Sequence, residues 1–267
     1  MTLGIVLPPA DSPLASAAIR QAASSAAAAD AAGADFIVVS RPAVPGLSPV
    51  LVAAHLAAHT TQIGLVADTP ADGAEPFHLS TALATLDHVS HGRGGWLVGP
   101  ADGTDDLADA AAVIDAVARL WDSWEDDVVI RDTSTGRYLD RARLHAIDLQ
   151  AATFRIAGPS ITPRPPQGRL PIIAGAALAD TQPATAWIEI VRGQSLVERH
   201  VRNAADVREV RDALAAGVSV LARPETRDAL ALLLAASPGS SGAETPATTL
   251  RERFGLARPR SVYAGAE

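Results

Sequence analysis

The chain has 267 residues with no Cys, one Met, and 22 cationic against 30 acidic side chains, for a formal charge of −8. Every cation is Arg, so Schiff-base and P-loop lysines are excluded, and the lack of Cys removes disulfides, thiolate nucleophiles and Cys-ligated metals. Scattered Arg on an acidic chain offers no concentrated basic patch for nucleic acid.

No apolar run reaches the roughly 18 residues of a membrane span. The opening Met1-Thr2-Leu3-Gly4-Ile5 has no basic region of the kind that starts a signal peptide. The expectation is a soluble, cytoplasmic protein that binds neither membrane nor nucleic acid.

Along the chain, short apolar segments alternate with longer helical ones, the pattern of βα units around a parallel sheet. Residues 3–7 read as a strand. Ser12-Pro13 then supplies an N-cap and a first-turn proline for a helix through the Ala-rich stretch to Gly33. Strands follow at 36–39, 63–67 and 95–98, with helices from Ser48-Pro49 to about His59, from Pro76 to Val89, and from about Thr104 to Trp124.

Residues 128–169 break this rhythm with the polar turn Asp132-Thr133-Ser134-Thr135-Gly136 and prolines between 163 and 166. They read as an insertion with short strands after the fourth βα unit. The βα pattern resumes at 171–175, 186–191 and 218–221, giving seven recognisable strands. Residues 237–249 are rich in Ser, Gly, Thr and Pro and open a flexible tail over 237–267.

Several motifs carry little. His55 and His59 share a helix face at i, i+4, but no Glu or second shell accompanies them, so they read as helix-surface or helix-packing histidines and no metal site is expected. Gly92-Arg93-Gly94-Gly95 precedes a strand instead of joining a strand to a helix, unlike a dinucleotide loop. Gly239-Ser240-Ser241-Gly242 is no nucleophile elbow. Glu125-Asp126-Asp127 reads as a solvated loop, and Trp121 and Trp124 as anchors between a helix and the insertion.

Longer strings say more. Leu120-Trp121-Asp122-Ser123-Trp124-Glu125-Asp126-Asp127, with Arg131-Asp132 and Gly136-Arg137-Tyr138 after it, resembles a hallmark stretch of the bacterial luciferase-like flavin monooxygenases. The branch it resembles contains nitrilotriacetate, dibenzothiophene-sulfone and pristinamycin-type monooxygenases. Glu75-Pro76-Phe77-His78-Leu79, the string from Ala84 to Trp96, the string from Pro163 to Ile173 and the string from Thr249 to Pro259 extend the likeness over most of the chain.

The resemblance implies one luciferase-like barrel domain over 1–267: an α/β (β/α)₈ TIM-barrel-like fold, incomplete at about seven strands. It implies a monooxygenase using O₂ and reduced FMN from a separate flavin reductase on a small organic substrate, with the flavin at the C-terminal strand ends. A homo-oligomer is implied as well. A deazaflavin at the same strand ends is an alternative cofactor. A degenerate, flavin-free barrel acting as a structural or regulatory partner subunit is the alternative function.

Carried over by position, the resemblance makes His78 the catalytic candidate. Ser40, Asp68, Trp96, Gly99, Gly175, Ala176 and Ala177 become cofactor-binding candidates, with backbone amides of 175–177 near the phosphate. The chain departs from the family's pattern at these places. Ser40-Arg41-Pro42 stands where an Asp is usual, Asp68 where a small hydroxyl residue is usual, and Gly175-Ala176-Ala177 where Gly-Ser-Ser is usual. Each hydroxyl donor lost to a phosphate removes roughly 1.5–3 kcal/mol. The substrate lid usual between the sixth and seventh strands is reduced to about 192–217.

Overall fold

The computed structural model describes residues 1–44, 46–98, 107–174, 178, 190–192, 196–237 and 249–264. The first half is four successive βα units. β1 (Leu3–Val6), β2 (Phe36–Val39), β3 (Gly64–Asp68) and β4 (Gly94–Val98) alternate with α1 (Ala15–Ala31), α2 (Pro49–Leu56), α3 (Pro76–Val89) and α4 (Leu107–Asp122). These strands are apolar runs because both faces are covered, as parallel strands require.

Local signals explain most boundaries. Gly33 follows α1 at φ +76°, a left-handed position that ends the helix. The α3 start is fixed by Pro76 and by the Glu75 carboxylate, which accepts the N–H groups of Phe77 and His78. The α1 start differs from the sequence expectation. That helix begins at Ala15 after an uncapped Leu14, and Ser12 Oγ accepts the Leu14 N–H at 3.2 Å instead.

After α4 come two small antiparallel pairs outside the main sheet, β5 (Val129–Asp132) with β6 (Arg137–Leu139) and β7 (Leu149–Gln150) with β8 (Arg155–Ile156). Trp121 and Trp124 tie this region down, their indole N–H groups donating to the carbonyls of Ser80 and Ser160 at 3.1 and 2.8 Å. Then follow β9 (Ile172–Ala174), β10 (Ile190–Arg192), β11 (Leu196–Val201), α5 (Ala204–Ala215), β12 (Ser219–Pro224), α6 (Arg227–Ala236) and α7 (Leu250–Arg253).

The main sheet is parallel throughout, in the order β10-β9-β4-β3-β2-β1-β12-β11. Its curl is visible in the packing: Ile173 of β9 and Leu196 of β11, near opposite ends of the sheet, join one interior cluster with Val6, Val38, Val66 and Leu221. Among the described residues no ladder joins β10 to β11. β11 was not among the seven expected strands. Its sequence, Leu-Val-Glu-Arg-His-Val, alternates charged and apolar residues on an edge, and the apolar-run criterion passes over it.

A larger core lies between the sheet and the helices and takes the other strand face, including Ile5, Ile37, Leu65 and Trp96. The interior is plugged at the N-terminal strand ends. A Cβ on Gly4 would lie 2.2 Å from the Phe36 ring, and Cβ atoms on Gly64 and Gly95 would lie 2.5 and 2.7 Å from the Leu250 side chain. These glycines therefore make the room that Phe36 and Leu250 fill, and the Phe254 ring packs 5.5 Å from Phe36.

This corrects the expectation of a flexible tail over 237–267. Residues 249–264 are held: Leu250 is fully buried, its N–H donates to the Gly92 carbonyl, and Thr249 with Glu252 forms a capping box. Pattern reading took the Ser/Gly/Pro composition before Thr249 as the character of the whole segment. Residues 238–248 lie outside the described ones.

Candidate functional site

With the lower interior filled, side chains turn polar at the C-terminal strand ends, where barrel sites belong. Strand alternation identifies which residues point inward. Asp68 shares the face of Val66 on β3, Arg223 that of Leu221 on β12, and Glu198 and His200 that of Leu196 on β11. Ser40 follows β2 directly and is buried.

Ser40, His200, Arg223 and Glu225 line a cavity of about 250 Å³ together with the apolar Val6, Leu7, Pro9 and Pro224. Arg223 Nε donates to Glu198 Oε1 at 2.5 Å, and the His200 ring lies 3.4 Å from Glu225 and 3.8 Å from Glu198. Burial raises the pKa of the Asp68 carboxyl, with the nearby charges of Arg223 and Arg41 opposing the shift. A groove of about 600 Å³ between α1 and α6 is larger, but it lies between helices of the outer layer.

Of the expected site residues, Ser40 lines this cavity, and Asp68 ends the adjacent strand β3 within reach of the charges of Arg223 and Arg41. His78 sits in the first turn of α3, at the same end of the barrel. Its side chain is exposed, with its Nδ1 3.2 Å from Glu75 Oε2. Trp96 is a correction. It is fully buried on the helix side of β4 and donates its indole N–H to the Thr69 carbonyl at 2.9 Å, so its ring is packing and faces no ligand space. The cause is again alternation, since Gly95 and Leu97 take the inward positions. Gly99, Gly175, Ala176 and Ala177 lie outside the described residues.

Sequence reading missed Arg223, His200 and Glu198. A signal existed: once 196–201 is taken as a strand, Glu198 and His200 fall on the face of Leu196, and Arg223 falls one inward step beyond Leu221. The Glu125-Asp126-Asp127 run is spent on ion pairs, with His145 at 2.7 Å, with Arg164 and Arg258, and with Arg143 respectively. Among the described residues no group of three or more His, Asp or Glu could hold a metal ion, and no helix is long and apolar enough to cross a membrane.

The family model for luciferase-like monooxygenase matches residues 1–237. The chain belongs to the luciferase-like monooxygenase family. One of the subunits of pristinamycin IIA synthase from Streptomyces pristinaespiralis is 38% identical over 248 residues, which are 87% of each chain. Nitrilotriacetate monooxygenase component A from Aminobacter aminovorans is 34% identical over 161 residues, 54% of this chain but 36% of the relative. A crystal structure of riboflavin lyase with modified FMN and riboflavin superposes with a TM-score of 0.59 at 24% identity, covering 83% of this chain and 61% of that one. This luciferase-like chain is thus close in length to the synthase polypeptide and much shorter than the other two.

Proposed function

We propose that the chain is a flavin-dependent monooxygenase acting at the barrel mouth on a small organic substrate, with reduced FMN delivered by a separate reductase in the cytoplasm. The observation that carries this reading is the charge arrangement of the mouth. Asp68, the departure that would repel an anionic reduced flavin, has a raised pKa and lies near Arg41 and Arg223, so the residues fit such a ligand. The riboflavin lyase structure contains a modified FMN, which supports the same class of cofactor here.

In this reading Ser40 and Arg41 hold the flavin's polar edge, Gly99 is a further cofactor-binding candidate, and the family pattern assigns the phosphate to the backbone amides of Gly175, Ala176 and Ala177. Bound reduced flavin supplies the electrons that activate dioxygen. The residues of the chain orient it, exclude water from the plugged interior and place His78 at the rim as the exchangeable proton carrier. A deazaflavin meets the same strand ends.

A second reading is supported by the match in length to a relative that is one component of a synthase. In it the chain is one partner of an oligomer and has a structural or regulatory role. One titration separates the two readings. Oxidised and anaerobically reduced FMN are added to the native protein alone, and binding at micromolar concentration is expected. Failure of both forms to bind would overturn the FMN reading and favour the structural or regulatory role.

A further inference from the structure

The mouth cavity has a donor arrangement that the flavin reading does not use up. Arg223 is anchored through one edge only. Its Nε donates to Glu198, and among the described residues its two terminal nitrogens donate to nothing. A guanidinium held this way presents a planar pair of N–H groups at fixed orientation, which matches an oxygen acceptor. It lines the cavity together with the apolar Val6, Leu7, Pro9 and Pro224.

Charge decides which oxygen. Arg223 is set against Glu198, Arg202 lies beside Glu225, and the charges of Arg41 and Arg223 act on Asp68. The cavity therefore has little net charge, so a fully ionised phosphate or carboxylate would gain little there. A neutral carbonyl dipole would gain the hydrogen bonds without needing a counter-charge. At about 250 Å³ the space lies just below the usual range for whole drug-sized ligands, so it suits a small molecule or one end of a larger one.

We propose that the cavity between β1, β2, β11 and β12 binds the carbonyl oxygen of a neutral, mostly apolar organic substrate, with Arg223 as donor and Glu198 fixing its orientation. This rests on the mouth being the reaction site and specifies what that site accepts. Arg223 is then a specificity residue, and Glu198 a positioning residue acting through it.

The test uses three probes of one size: cyclohexanone, cyclohexanecarboxylate and cyclohexylamine. Each is titrated into the full chain while the ring C–H resonances of His200, assigned with His200→Asn, are followed by NMR. Cyclohexanone should shift His200 at the lowest concentration, and Arg223→Met should weaken it by about tenfold. Glu198→Gln keeps the guanidinium and adds one net positive charge, so it should move the preference toward the carboxylate by a similar factor.

FMN is titrated in parallel and should change less than about twofold in Arg223→Met. Wild-type protein that ignores cyclohexanone, or binds the carboxylate or amine more tightly, overturns the proposal. So does a tenfold loss of FMN affinity in Arg223→Met, which would assign Arg223 to the flavin phosphate. If FMN never binds while the ketone binds through Arg223, the flavin reading falls and the carbonyl site stands. If FMN binds and Arg223→Met leaves the ketone titration unchanged, the reverse holds.

Discussion

In the proposed flavin-dependent reaction, the charge of Asp68 at the mouth of the barrel would govern how an anionic reduced flavin is received. Burial raises its pKa while Arg223 and Arg41 oppose the shift, so the carboxyl loses its proton at a higher pH than a free side chain. Affinity for reduced FMN should therefore fall as pH rises through that raised pKa. Asp68→Asn should remove the pH dependence and bind about fivefold tighter at high pH, roughly the 1 kcal/mol of a screened like-charge contact. Anaerobic titrations across pH measure this, and equal slopes in both proteins would refute it. A second carboxyl gives a stability effect. Burial raises Asp87 to about 6 despite hydrogen bonds from Gln167 and Gly94. A raised carboxyl favours the folded state below its unfolded pKa, and that contribution is lost as pH rises through the folded pKa. It amounts to about 3 kcal/mol at most, lost between about pH 4 and pH 6. Urea unfolding at pH 5 and pH 7 should show the loss in the native chain and a flatter response in Asp87→Asn.

Among the elements, α7 has a larger role than its four residues suggest. Leu250 fills space between Gly64 and Gly95, so Leu250→Ala should cost about 2–5 kcal/mol, the range for an emptied core site. Gly95→Ala alone places a Cβ 2.7 Å from Leu250 and should cost about 1–3 kcal/mol by overpacking. Combined, the two should cost less than their sum, because the new methyl occupies the vacated volume. Denaturant unfolding of all four proteins reads this coupling, and strict additivity would refute the packing account. This contact was not legible in the sequence, because it joins residues 155 positions apart through glycines that have no side chain to reveal a pattern. By contrast β2 and α3 were legible to the residue, since an apolar run with turn residues before it, and a Glu-Pro start, are local signals. The site falls between these cases. Ser40 and Asp68 end apolar strands and were named from the family pattern, whereas Glu198, His200 and Arg223 lie on strands whose charged residues hid the pattern or lay past its visible end.

For the whole molecule, the end of the barrel away from the mouth is closed by charges. Asp122, fully buried at the end of α4, accepts from Arg164 at 2.8 Å and from Arg169, and its carboxylate also takes the Val262 N–H at 3.1 Å. One carboxylate thus ties α4, the segment leading into β9 and the C-terminal segment together. Gln167 and Arg251 extend the link, since Gln167 bonds both Asp87 and the Arg251 N–H. Burying these ions is costly, and the cost is offset only while every partner is present. Asp122→Asn keeps the volume but removes the buried carboxylate charge that Arg164 and Arg169 share, with Asp126 still paired to Arg164, so a loss of about 3–5 kcal/mol is expected. The loss should have a direction as well as a size. Residues 249–264 depend on this cluster and on Leu250, and they should detach before the sheet unfolds, since locally held segments open at lower free energy than the core. Limited proteolysis should therefore cut Asp122→Asn near residue 249 under conditions where the native chain is intact. Because the mouth lies at the opposite strand ends, the cyclohexanone response of His200 should survive in the uncut variant. Loss of both together would mean that the two ends of the barrel are one cooperative unit.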